Sequence, residues 1–235
     1  MLHPVGENSL IWDDDWRPEG TAFAWETDQF FADGIGTWLE SDSAKNTELA
    51  WLAQAGFKAS PGDNAQLRAG VGYHQINAAG HQSFFGDNDF FGNSCDPVTQ
   101  TYLYDYHGLE GFAELGFHLF DHPATAYADV VRNQAAPQFD TGYIFGLKLG
   151  SAKDAGNWEL GWAYEDLEAD AVLGLLTDSD FGGGGTDAKG HILTGTYAIR
   201  KNFNTKFTYF INQMDGNLGQ EKDFDRLQLD LNFKF

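Results

Sequence analysis

The sequence predicts an all-β fold: a transmembrane, antiparallel, up-and-down β-barrel of about twelve strands, with room for further strands in a larger barrel. Three observations predict it. Apolar and polar residues alternate over much of the chain, most clearly where Leu227, Leu229, Leu231 and Phe233 interleave with Arg226, Gln228, Asp230 and Asn232. Period two is the strand period, because successive side chains point to opposite faces. The connections also segregate by length. Short turns fall near 61–64, 121–123, 152–156 and 200–202, and long links near 78–108, 169–190 and 214–224. If Phe235 marks one end of the barrel, every short turn shares that end, as periplasmic turns do. Finally, the apolar faces carry Trp51, Tyr143, Phe145, Trp158, Trp162 and Tyr209, while the opposite faces mix charge with glycine. About eight strands already enclose all that side chains can fill. A wider wall therefore turns its rings to lipid and its polar face to a hydrated lumen.

The elements follow in order. Ser9 to Trp12 is a short apolar run that suits a first strand. Thr21, Phe23, Trp25 and Thr27 share one face, and 31–41 is a less regular strand, followed by a link near 43–46. Leu49, Trp51, Ala53, Ala55 and Phe57 define 49–59, joined through Pro61 and Gly62 to 67–75. In 109–119, Leu109, Ala113, Leu115 and Phe117 oppose Glu110, Glu114 and His118. Strands at 124–133, 139–151, 158–166, 191–199, 203–213 and 225–235 complete the series. Phe210 interrupts the polar face of 203–213.

Composition narrows the class. The chain of 235 residues suits one domain, 1–235. Its first eight residues have neither the basic start nor the apolar centre of a signal peptide, so a signal and an N-terminal portion are expected upstream. A net charge of −21 argues against nucleic acid as a partner. No run reaches the roughly 18 to 20 apolar residues of a membrane-spanning helix, so any crossing uses strands. The single Cys95 excludes an intrachain disulfide and reads as a tolerated thiol.

Several segments carry a family resemblance: Leu10-Ile11-Trp12-Asp13-Asp14-Asp15-Trp16-Arg17-Pro18-Glu19-Gly20, Phe91-Gly92-Asn93-Ser94, Thr141-Gly142-Tyr143, and the block from Leu167 through Thr177-Asp178-Ser179-Asp180-Phe181-Gly182-Gly183-Gly184-Gly185 to His191. With them the chain resembles the putative porin family of Gram-negative outer-membrane proteins, over nearly its whole length from about Leu10. The resemblance implies an outer-membrane β-barrel that forms a diffusion pore.

Strand parity supplies the candidate site. It aims Lys58, Arg68, Lys148, Lys206, Arg226 and Lys234 into the lumen. The same parity brings in Glu48, Glu110, Glu114, Asp140, Glu159 and Asp230. Rings of charge set ion selectivity, and the excess of acid predicts a weak cation preference. The bland alternative is that these charges pair across strands and simply make the wall wettable. Asp178, Asp180 and Asp187 sit on a glycine-rich link that either folds inward as a constriction or remains a plain external loop. They could also ligate Ca²⁺, but their spacing does not match the twelve-residue calcium loop. Gly182 to Gly185 lack the Gly-Lys-Ser/Thr that a phosphate loop needs. Aromatics from Phe84 to Phe91 read as a brace at the mouth rather than a sugar platform. No catalytic constellation and no cofactor or metal site emerges, with His74 and His118 on separate strands.

The expected function is passive diffusion of small hydrophilic solutes through a water-filled outer-membrane channel. Lipid and the solutes are the partners, and homo-oligomer formation is left open. The alternatives are a non-conducting barrel that serves as a scaffold, and a soluble acidic β-domain that binds a small ligand.

Overall fold

The computed structural model describes residues 10–13, 16–40, 48–62, 64–84, 88–219 and 221–234. The first four strands are β1 (Glu19–Glu26), β2 (Phe30–Glu40), β3 (Glu48–Ala59) and β4 (Gln66–Ile76). A small hairpin, β5 (Cys95–Asp96) and β6 (Thr101–Tyr102), lies in the long link that follows. The wall resumes with β7 (Tyr106–Leu119), β8 (His122–Asn133), β9 (Thr141–Gly150) and β10 (Trp158–Leu167). It ends with β11 (Ala188–Arg200), β12 (Phe203–Met214) and β13 (Lys222–Phe233).

Eleven of these strands form one sheet in chain order, each hydrogen-bonded to the next. Short turns make sequence neighbours into antiparallel partners, and the long links after β4 and β10 likewise return the chain to the adjacent position. Since every ladder in it is antiparallel, β1 and β13 at the two ends of the order run in the same direction. The expected strands are all present, with ends moved by a few residues. The segment near 31–41 is a full strand, β2.

Leu10 to Trp12 is the exception. These residues form no strand; they are buried among the links at one end of the sheet. A three-residue apolar run is too short to carry a period, and burial rather than pairing explains it. Ser9, the link near 43–46 and Phe235 lie outside the described residues.

The short-turn end is built tightly. Leu119 pairs with His122, and the two residues between them both have positive φ, 50° at Phe120 and 62° at Asp121. That is a type I′ turn, whose twist matches the flanking strands.

The two faces of the sheet meet different surroundings. Trp51, Phe145, Trp162, Phe207 and Leu229 project from one face and are exposed. The inner face is divided by height. Toward the long links it is apolar, where Ile35, Leu52, Ile76, Val131 and Ile144 pack against Leu10, Trp12, Leu173 and Leu176. Toward the short turns it is mostly polar, with Phe31 and Phe112 as aromatic exceptions. The expectation of a uniformly polar interior is corrected accordingly: long links that fold inward need apolar residues to rest on.

Candidate functional site

The ladders put most of the expected inward charges on one face. Arg68 of β4 is directly opposite Glu114 of β7. Lys206 of β12 is opposite Asp230 of β13, and Arg226 lies two inward positions from Asp230. Lys148 of β9 and Glu159 of β10 occupy neighbouring inward positions, since Lys148 pairs with Gly161. Glu110 shares the inner face of β7 and is buried. Lys58 pairs with Glu26 of β1.

Two of the expected residues lie just beyond strand ends. Asp140 precedes β9, and its Oδ2 accepts a hydrogen bond of 2.9 Å from Nε of Arg132, whose side chain is largely exposed. Lys234 follows β13, and its backbone N–H donates to the Asn202 carbonyl at 3.0 Å.

The inner face encloses a cavity of about 590 Å³. Its walls include Tyr127, Lys148, Glu159, Glu165, Thr194 and Lys206, contributed by β8 to β12. Asp13, Asp178, Ser179 and Asp180 face it from the links. The 168–187 link therefore lies over the inner face of the sheet.

That link is held at several points. Arg226 Nη1 donates to Asp180 Oδ1 at 2.5 Å, which ties the link to β13. The Ser179 backbone N–H donates to Asp13 Oδ2 at 3.0 Å. Phe181 and Ala188 pack on Phe210, which explains why an aromatic sits on the polar face of β12. Gly182 has φ 57° and lies so close to Ala188 that a Cβ would come within 2.4 Å of it. Only glycine meets both conditions without strain.

Asp187, the third aspartate of the set, does not face the cavity. It accepts backbone hydrogen bonds from Asn217 at 2.7 Å and Leu218 at 3.0 Å, joining the link to the one before β13. The three aspartates therefore do not converge. Among the described residues no three His, Cys, Asp or Glu side chains are arranged to hold a metal.

The long link before β7 supports the same assembly. Asn93 Nδ2 donates to the carbonyls of Ala169 at 2.7 Å and Val172 at 2.8 Å, while its Oδ1 accepts from Gly174 at 2.8 Å. Asp170 accepts from the Ser94 N–H at 2.9 Å and the Ser94 hydroxyl at 2.5 Å. Phe84 and Phe90 are buried against Tyr102, so this segment braces the mouth rather than presenting an open ring face. Burial pushes the carboxyls of Asp170 and Asp187 above their ordinary value, against the opposing pull of the hydrogen bonds they accept. Burial likewise pushes the Cys95 thiol up, helped by Asp96.

Parity alone could have named further inward residues. Gln54, Asp129 and Glu165 alternate correctly on β3, β8 and β10 and are all buried. His74 is buried edge-on to Trp12, with ring centroids 5.9 Å apart. On the opposite face, Phe145, Trp162, Tyr164 and His191 form a run of touching rings across β9 to β11.

A family model described as putative porin matches residues 112–235, more than half of the chain. The segments near 10–20 and 91–94 lie before the matched range. No curated protein matches the chain.

Proposed function

The chain belongs to the putative porin family, and from that premise we propose that it forms a water-filled channel for passive diffusion of small hydrophilic solutes. The observation that carries the reading is the cavity of about 590 Å³, lined largely by charged and hydroxyl side chains, on the inner side of a wall whose other side is apolar. A polar bore behind a greasy exterior suits a barrel in lipid and has no use in water. The compartment this reading implies is the Gram-negative outer membrane. Arg68, Glu114, Lys148, Glu159, Lys206 and Asp230 are the proposed wall charges, and Asp178 and Asp180 the proposed constriction. Acids outnumber bases in the chain, 35 to 14, which favours a weak preference for cations.

Planar-bilayer recording tests this reading. It predicts steady conductance steps and, in a salt gradient, a reversal potential of the sign set by cation flow. Anion-signed reversal would overturn the selectivity.

A second reading is favoured by one specific observation, the apolar packing of Leu10 to Trp12 and Leu173 to Leu176 across the interior. It is a non-conducting scaffold barrel, and it predicts the absence of conductance steps from folded, inserted protein.

A further inference from the structure

We propose that Gln54, Glu110 and Asp129 form a binding site for a hard divalent cation, Ca²⁺ in the first instance, within the inner wall. The register brings them together. Gln54 of β3 is opposite Gly72 of β4, and Gly72 is opposite Glu110 of β7. Asp129 of β8 pairs with Phe112, the next inward residue after Glu110 on β7.

Gly72 makes the approach across β4 feasible. A Cβ there would lie 2.1 Å from Glu110 Oε2 and 3.3 Å from the Gln54 Cγ. With no side chain in the way, Gln54 Nε2 donates to Glu110 Oε2 at 3.2 Å. The Glu110 carboxyl also lies close enough to Asp129 for the two to interact electrostatically.

The site is buried and short of donors. Gln54, Glu110 and Asp129 are 3%, 2% and 5% exposed. Gln54 Oε1, Glu110 Oε1 and both carboxylate oxygens of Asp129 make no hydrogen bond of ordinary geometry, although the Glu110 and Asp129 carboxyls lie close enough to share a proton and the Val130 N–H lies near Asp129. No Lys, Arg or His is among the groups acting on either acid. Two adjacent carboxylates cannot both stay ionised in such a place without a positive charge to share. The amide oxygen is the independent sign of a ligand. It cannot take up a proton itself, and it is buried and unpartnered beside Glu110.

The chemistry selects the ion. Four free oxygens from two carboxylates and an amide, with no nitrogen or sulfur, suit a hard cation. A charge of two balances the pair. Ca²⁺ accepts irregular oxygen shells completed by water, whereas Mg²⁺ demands near-octahedral geometry.

Calorimetric titration of CaCl₂ into the folded, chelator-treated protein in detergent tests the site. One saturable Ca²⁺ per chain is expected. Glu110→Gln and Asp129→Asn should each weaken it by about tenfold or more. Gln54→Leu keeps both acids and should weaken it as well. Asp223→Asn, at an exposed position on β13, removes the same charge and should change nothing. Heat-modifiable gel mobility shows which variants are folded. Absence of saturable binding to the wild type through the millimolar range, or wild-type binding by the folded variants, overturns the proposal. The titration reads binding alone, so its outcome is separate from whether the barrel conducts.

Discussion

Asp180 Oδ1 and Arg226 Nη1 meet at 2.5 Å, joining the inward-folded link between β10 and β11 to the last strand of the wall. The link covers the cavity from this point. Both side chains are more than a third exposed, so solvent screens the pair, and its worth is about 0.2–1 kcal/mol. Arg226→Gln should therefore raise the frequency of the link's excursions by only a few-fold. Single-channel recording would show this as noisier openings at unchanged barrel stability. Unchanged noise would mean that the pair does not hold the link.

The stronger attachment is apolar. Phe181 rests on Phe210, and both are almost fully buried. Truncating a buried phenylalanine costs about 3–5 kcal/mol, well above the worth of the ion pair. Phe181→Ala should accordingly release the link while the wall stays folded. Limited proteolysis would detect new cleavage within 169–187. Resistance equal to the wild type would show that the link is held by its other anchors.

Asp170 and Asp187 make the packing of the links depend on pH. Burial raises both above the ordinary value of 3.8. The folded links then bind protons more tightly than the released links do. In the window between 3.8 and the raised values, packing weakens as pH rises and strengthens as it falls. Protection factors of residues 168–187, the exchange rates corrected for the intrinsic pH dependence of amide exchange, should rise on mild acidification through that window. Asp187→Asn should reduce the dependence, and a slope of the opposite sign would contradict this assignment.

The turn at Phe120 and Asp121 stores strain. Type I′ turns need positive φ at both central positions and favour Asn-Gly. Phe120 is 83% exposed, so its ring packs on little that would offset the strain. The double substitution Phe120→Asn, Asp121→Gly should stabilise the barrel by about 1 kcal/mol. The midpoint of urea unfolding from liposomes would move up; an unchanged or lower midpoint would place the strain elsewhere.

The wall was legible in the sequence because strand period and turn length are local signals. Leu227 to Phe233 alone specifies β13 and its outward face. What the links do was much less legible, because their packing is long-range. Leu10 to Trp12 reads as a strand fragment until Leu173 and Leu176 are placed beside it. Phe210 reads as an error in the alternation until Phe181 covers it. Asp140 has lumen parity, but β9 begins one residue later and Arg132 takes its carboxylate. Asp129 and Glu165 carry the same alternation as their neighbours, so parity could have placed them inward. The vacant position at Gly72, which draws Gln54 and Glu110 together, is visible only once the register is known.

The proposed channel requires that the aromatic face of β9 and β10 meet hydrocarbon while the charged face meets water. Single spin labels, introduced in turn at residues 145, 147, 160 and 162 and at 148, 159 and 161 of a Cys95→Ser protein in lipid, test it most directly. Oxygen should collide more often with labels in the first set, and a water-soluble nickel complex with labels in the second. Equal accessibility to the nickel complex on both faces, or the reverse pattern, would rule this orientation out.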